Sequence, residues 1–246
     1  MIRVYGTLGP ACADQGILTK MLHAGMTGIR LNLSHILLKD AAPELKMLRA
    51  AEAETGIRSE LLIDLQGPEV RIGKLSRPLE LTEGSAVTMG VDIPVPQPVL
   101  DALLPGQKLL LDDGKLLLER ETKTEAAVLR GGTLQSRKSL AIEGVDLHLP
   151  PLTKEDLINL EQAAAYGVTA VMQPFVRDAE DLITLRNALN AAGGEDIQIL
   201  AKIENRSGIA HLSELLPHCE EIIIARGDLG NAVTLLQLPA AQKEIA

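Results

Sequence analysis

Two apolar runs in this chain end in charge at strand spacing: I-Q-I-L-A-K-I-E-N at 197–205 and I-I-I-A-R-G-D-L-G at 222–230. Each begins as a strand bound for an apolar interior. Alternation then places Lys202 with Glu204, and Arg226 with Asp228, on one face of its strand. Ionisable groups beside a core are costly unpaired, so these belong at a polar mouth, bound to one another, to a metal or to an anion. Similar runs recur, with helical stretches between them. Strands are predicted at 2–8, 29–34, 60–65, 170–173, 197–203 and 222–225. Helices are predicted at 15–24 (closed by Gly25), 41–54 (closed near Gly56), 154–166, 179–192 and 208–216, with a last one starting at 236–239. Thr153 caps the fourth strand's preceding helix, with Glu155 and Asp156 in its first turn. This β–α repeat with near-continuous apolar strands predicts an α/β fold of parallel strands covered by helices.

Residues 69–149 break the rhythm. Pro and Gly are frequent, and K-L-L-L-D-D-G-K-L-L-L-E at 108–119 reads as a hairpin turning at Asp113-Gly114. A small, mainly β domain inserted into the α/β scaffold is expected there, with 1–68 and 150–246 forming the discontinuous host domain. At 246 residues, 46% of them hydrophobic, the chain has material for a large core, which must be aliphatic because only Tyr5, Tyr166 and Phe175 are aromatic. A net charge of −9 without a basic block, and no aromatic platforms, argue against a nucleic-acid partner. No apolar run is long enough to span a bilayer. Cys12 and Cys219 make neither a disulfide framework nor a zinc signature. The opening residues lack a signal-peptide pattern, so a cytoplasmic setting is expected.

The second strand, G-I-R-L-N-L-S-H at 28–35, alternates strictly: Arg30, Asn32 and Ser34 face one way, Ile29, Leu31 and Leu33 the other. Asp64 ends the third strand. Ligands of parallel α/β folds bind where strands end, which gathers Arg30, Asn32, Ser34, Asp64, Lys202, Glu204, Arg226 and Asp228 on one face. Glu204 and Asp228, one β–α unit apart, are expected on neighbouring strands roughly 5 Å from each other. Such a pair suits Mg²⁺ that keeps waters and substrate ligands; the same charges also make a structural ion-pair network. Arg30, Asn32 and Ser34 read equally as a satisfied polar ladder, His35 as a hydrogen-bonded surface histidine, Asp112-Asp113-Gly114 as a turn and G-T-L-G-P at 6–10 as a loop without a Walker lysine.

G-T-L-G-P-A at 6–11, A-G-M-T-G-I-R-L-N-L-S-H at 24–35, L-L-I-D-L-Q-G-P-E-V-R at 61–71, F-V-R-D-A-E-D at 175–181, A-K-I-E-N at 201–205 and A-R-G-D-L-G at 225–230 together resemble pyruvate kinase, in that family's order. The resemblance implies a TIM-type barrel, incomplete at about six of eight strands, with an inserted small β-barrel lid. It implies transfer of a phosphoryl group from phosphoenolpyruvate to ADP, giving pyruvate and ATP in glycolysis. Glu204 and Asp228 would then ligate Mg²⁺ (or Mn²⁺), and Lys202 and Arg30 would neutralise the phosphoryl group. The backbone of Gly227 and Asp228 would receive the substrate carboxylate. Asn32, Ser34, Asp64 and the Leu65 carbonyl would hold K⁺. Asn32, His35, Arg71 and Lys138 would lie along the nucleotide phosphates.

The chain departs from the family pattern at Leu65-Gln66, where Thr-Lys is usual, at Ile36 after Ser-His, and at K-S-L-A-I-E over 138–143. It stops after the sixth barrel strand, so the last two strands and the C-terminal domain are expected to be absent. The open sheet edges invite a homo-oligomer. Two further readings stand beside the kinase: a binding protein that has kept the acid site without turnover, and a Mg²⁺-dependent lyase on pyruvate- or oxaloacetate-type acids.

Overall fold

The computed structural model describes residues 2–34, 36–145, 147–233 and 236–246. Along the chain run β1 (Tyr5–Thr7), α1 (Gln15–His23), β2 (Gly28–Asn32), α2 (Ala42–Thr55), β3 (Glu60–Asp64), β4 (Leu79–Leu81), β5 (Ala86–Thr88), α3 (Gln97–Ala102), β6 (Lys108–Leu111), β7 (Leu116–Arg120), β8 (Glu125–Arg130), β9 (Gly132–Leu134) and β10 (Leu140–Ile142). There follow α4 (Lys154–Ala163), β11 (Ala170–Gln173), α5 (Ala179–Ala191), β12 (Gln198–Ile203), α6 (Arg206–Ala210), α7 (Leu212–Leu215), β13 (Glu221–Ile224), α8 (Arg226–Ala232) and α9 (Leu238–Ile245). They group into two compact units. The first comprises Met1–Pro68, Pro150–Ile224 and Ile245; the second comprises Glu69–Leu149, Ala225–Glu244 and Ala246.

The first unit is built on six strands in the order β1-β2-β3-β11-β12-β13, every pair parallel. Among the described residues β1 and β13 have no outer strand neighbour, so the expected incomplete α/β barrel is what forms. The sheet curls. Tyr5 of β1 and Ile223 of β13 pack on the same inner cluster as Leu62, Ala170, Met172 and Leu200. At the strands' amino ends Arg3 pairs with both Glu60 and Glu221. Burial and a hydrogen bond to Glu60 push the Tyr5 phenol up to about 12. Gly28 is required where Tyr5 crosses β2, because a Cβ there would lie 2.4 Å from the ring. The outward-facing side chains Ile29, Leu31, Leu61 and Ile63 are buried beneath the helices.

Helix–strand connections are closed by buried polar groups. Glu52, near the end of α2, accepts from the Ser59 amide (2.9 Å) and hydroxyl (2.6 Å) and from Arg49 (2.8 Å). Burial by itself would raise this carboxyl; the hydrogen bonds from Ser59 and Arg49 outweigh burial and hold it below its ordinary 4.5. A depressed folded pKa contributes stability above the unfolded value and loses it as pH falls through the folded one. Glu52→Gln is therefore expected to cost about 1–3 kcal/mol at neutral pH. The difference from wild type should shrink as urea midpoints are measured from pH 7 down to pH 3.5, and a constant difference would contradict it.

The second unit has a five-stranded antiparallel sheet, β10-β6-β7-β8-β5, and a β4–β9 pair around an aliphatic core of its own. The 108–119 hairpin forms as expected, with Asp112 and Asp113 at φ 48° and 56° in its turn. Residues 225–230 correct the sequence reading. β13 pairs only as far as Ile224, and Arg226–Ala232 is helical. Arg226 and Asp228 thus do not share a strand face, and two residues apart on a helix they do not face each other. An acidic residue in the first turn suits a helix start, a signal that the apolar run before it obscured.

Candidate active site

Alternation along the strands builds the site. Leu62 and Asp64 share the inner face of β3, as Leu200 and Lys202 share that of β12, so each strand presents an aliphatic residue and then a charged one toward its carboxyl end. Arg30 enters from β2. Its Nε lies 2.9 Å from Asp64 Oδ2, which a second guanidinium nitrogen also reaches, and its remaining nitrogen donates to the Thr7 hydroxyl at 3.1 Å. Lys202 Nζ is 2.9 Å from Glu204 Oε1 and 3.5 Å from Asp64 Oδ1. Glu204 Oε2 accepts from the Phe175 amide at 2.8 Å. Two cations and two carboxylates thus form one chain from β2 to β12. The carboxylates are almost fully buried, and Lys202 is 15% exposed. In such surroundings charge interactions far exceed those at a surface.

The flanking loops explain why these residue types are needed. Phe175, at φ 55°, turns its amide toward Glu204. Asn205 donates to the Val176 carbonyl (3.1 Å) while its Oδ1 caps α6 at Gly208 (2.7 Å). Arg177 forks onto Asp181, whose carboxylate also receives the Arg177 amide. The 175–181 and 201–208 segments are therefore stitched together. Asn32 stands beside Asp64 in the β2–β3 register, its Oδ1 accepting from the Ser34 amide at 3.0 Å. The Leu65 amide donates to the Met172 carbonyl at 3.1 Å.

Of the site residues expected from sequence, Arg30, Asn32, Asp64, Lys202 and Glu204 converge at these strand ends, with Ser34 two residues past β2 and Leu65 directly after β3. His35 lies outside the described residues. Arg71 and Lys138 belong to the second unit, as do Gly227 and Asp228. Arg71 forks onto Glu69 and donates to the Arg137 carbonyl, while Lys138 pairs with Asp112 at 2.9 Å. Hydrogen bonding by Lys138 lowers the Asp112 carboxyl, against burial. Burial raises that of Glu69; Arg71 opposes this, and the charges of Asp228 and Asp113 add to it. Sequence reasoning missed Thr7 and Phe175 as supports of Arg30 and Glu204. The only local hint at Thr7 was its place in a Gly-rich loop.

The chemistry of these donors fits the implied ions. Glu204 offers the hard carboxylate oxygen that Mg²⁺ takes, and Asn32, Ser34 and Asp64 offer the oxygens an alkali cation takes. Among the described residues no three His, Cys, Asp or Glu side chains are grouped so as to hold a metal by themselves.

Parallel strands covered by helices, with anion-attracting and cation-attracting side chains at their carboxyl ends, define an α/β-barrel protein with its polar site at the barrel mouth. Residues 2–246 match the family model for the pyruvate kinase barrel domain, and the chain belongs to the pyruvate kinase family. It is similar to the pyruvate kinases of Aeropyrum pernix (36% identical, covering 99% of this chain and 55% of the relative), Chlamydia pneumoniae (30%; 99% and 53%) and Geobacillus stearothermophilus (32%; 98% and 44%). The chain spans about half the length of these relatives.

Proposed function

We propose that this chain is a phosphotransferase that moves a phosphoryl group from phosphoenolpyruvate to ADP, giving pyruvate and ATP. The observation that supports it best is the Arg30–Asp64–Lys202–Glu204 chain. Phosphoryl transfer asks for in-line positioning and positive charge spread over the moving group, with little covalent help. Arg30 and Lys202 supply two such charges from rigid strands. In the absence of substrate each is neutralised by a buried carboxylate, which keeps the cluster affordable. An anion arriving at the mouth draws both cations toward itself, Lys202 to the transferring phosphoryl group and then to the enolate oxygen it leaves. Glu204 would be a ligand of Mg²⁺, which when bound neutralises substrate charge and orients the phosphoryl oxygens. Asn32, Ser34, Asp64 and the Leu65 carbonyl would hold K⁺.

The amides of Gly227 and Asp228, in the first turn of α8, have no intrahelical acceptor by position and would receive the substrate carboxylate. Arg71 and Lys138 would meet nucleotide phosphates. The 69–149 segment would act as the lid that excludes water. Two unpaired cysteines fit a cytoplasmic, reducing setting. No helix among the described residues is long and apolar enough to cross a membrane. Among the described residues β1 and β13 have no outer strand neighbour, which fits assembly with another copy.

The test is pyruvate formation from phosphoenolpyruvate and ADP with Mg²⁺ and K⁺. Turnover that needs both cations is expected. Binding of oxalate without turnover would instead identify a non-catalytic binding protein, and cleavage of oxaloacetate without ADP a lyase.

A further inference from the structure

Around residues 69–149 the chain leaves the first unit after Pro68 and re-enters it at Pro150, before crossing again after Ile224. The exit at 66–68 and the return at 150–153 are held by one side chain. Asp156, fully buried in the first turn of α4, receives the Gln66 amide on Oδ1 (2.9 Å) and the Gly67 amide on Oδ2 (3.0 Å). Its Oδ2 also receives the Thr153 amide (2.9 Å) and hydroxyl (2.7 Å), and the Asp156 amide returns a bond to that hydroxyl (3.1 Å). A capping box would need only the Thr153 bonds. The two from 66–67 come from a segment about 90 residues earlier. The backbone there has no alternative: Gly67 sits at φ +63°, and a Cβ on it would lie 2.4 Å from Pro174 Cγ. Each of the four bonds to the Asp156 carboxylate comes from an N–H or O–H group at this exit or this return.

We propose that Asp156 is a positioning residue that couples the two crossings, so that the exit at 66–68 and the return at 150–153 loosen and tighten together. This holds whether or not the chain turns over phosphoenolpyruvate. Four donors converge on one carboxylate, so losing either set leaves the other bonded to a group that is no longer fixed. A hydrogen bond to a buried charge shifts opening by about tenfold or more.

The test is hydrogen exchange at single-amide resolution on the full chain, comparing wild type, Thr153→Ala and Asp156→Asn. Thr153→Ala is expected to speed exchange of the Gln66 and Gly67 amides severalfold although it removes no bond to them. Asp156→Asn should speed them about tenfold or more together with the Thr153 amide, and leave the amides of β2 and β12 unchanged. An effect of Thr153→Ala confined to α4, or an Asp156→Asn effect spread evenly over the first unit, would overturn the coupling. Should Asp156→Asn fail to fold, Thr153→Ala decides by itself.

Discussion

On the proposed phosphotransferase reading, Lys202→Met is expected to lower turnover of phosphoenolpyruvate about 10³-fold or more, because it removes a preorganised charge from a water-poor site. The same change strips a buried Glu204 and a buried Asp64 of their shared ammonium, leaving Asp64 to Arg30. Breaking a buried pair from one side costs roughly 3–5 kcal/mol. A loss of activity in the single variant therefore does not separate a catalytic lysine from a structural one. The double variant Lys202→Met, Glu204→Gln does. Removing both partners relieves the uncompensated charge, so the urea midpoint should recover most of the loss. On that reading turnover should stay abolished, since neither the cation that faces the phosphoryl group nor the proposed metal ligand Glu204 has been restored. Recovery of stability and activity together would show that the pair is an ion-pair strut and that the phosphoryl group is met elsewhere. Lys202→Arg gives a third point: it keeps the charge, and its planar fork cannot occupy an ammonium's position between Asp64 and Glu204 without displacing one of them.

The residues that allow this experiment were legible in the sequence for a simple reason. Lys202 and Glu204 are two apart on a strand whose other inward residue, Leu200, is apolar, and Arg30, Asn32 and Asp64 obey the same alternation. A period of two is a local property, and any strand that keeps it delivers these side chains to one face. The parallel six-stranded sheet followed equally from the repeat of apolar strand and helix. Where the reading went wrong, alternation was extended past its range. The run I-I-I-A-R-G-D-L-G looks continuous, yet the strand lasts only while Ile222, Ile223 and Ile224 have β12 partners, and Arg226 then opens a helix. Nothing local marks that point except an aspartate in a helix's first turn. Other features were invisible because they are non-local. The Thr153–Asp156 cap is readable from four residues, but its grip on Gln66 and Gly67 spans about 90 positions. Phe175 supports Glu204 through a backbone amide, which no side-chain pattern records.

Arg120→Ala is expected to destabilise the second unit by roughly 3–5 kcal/mol, a large fraction of what a unit of this size possesses. Arg120 ends β7 and is 7% exposed. Its guanidinium donates to four backbone carbonyls: Thr122 at 2.8 Å, Lys123 at 2.7 Å, Leu100 at 3.0 Å, and Leu103. Two of these belong to the end of α3, where a cation also complements the helix dipole. One side chain thus terminates a helix, closes the 121–124 turn and fastens both to the sheet. Truncation removes the aliphatic stem from the core and leaves these carbonyls without their donor, which is costlier than losing a satisfied pair. Arg120→Lys should recover only part of the loss, because one ammonium cannot reach four acceptors spread around a planar fork. The chain offers a clean readout. Tyr5, Tyr166 and Phe175 are its only aromatic residues, and all three lie in the first unit. In Arg120→Ala, far-ultraviolet dichroism should lose amplitude at a denaturant concentration where tyrosine fluorescence has not changed. An unshifted dichroism midpoint would show that the four carbonyls find water as readily as they find Arg120.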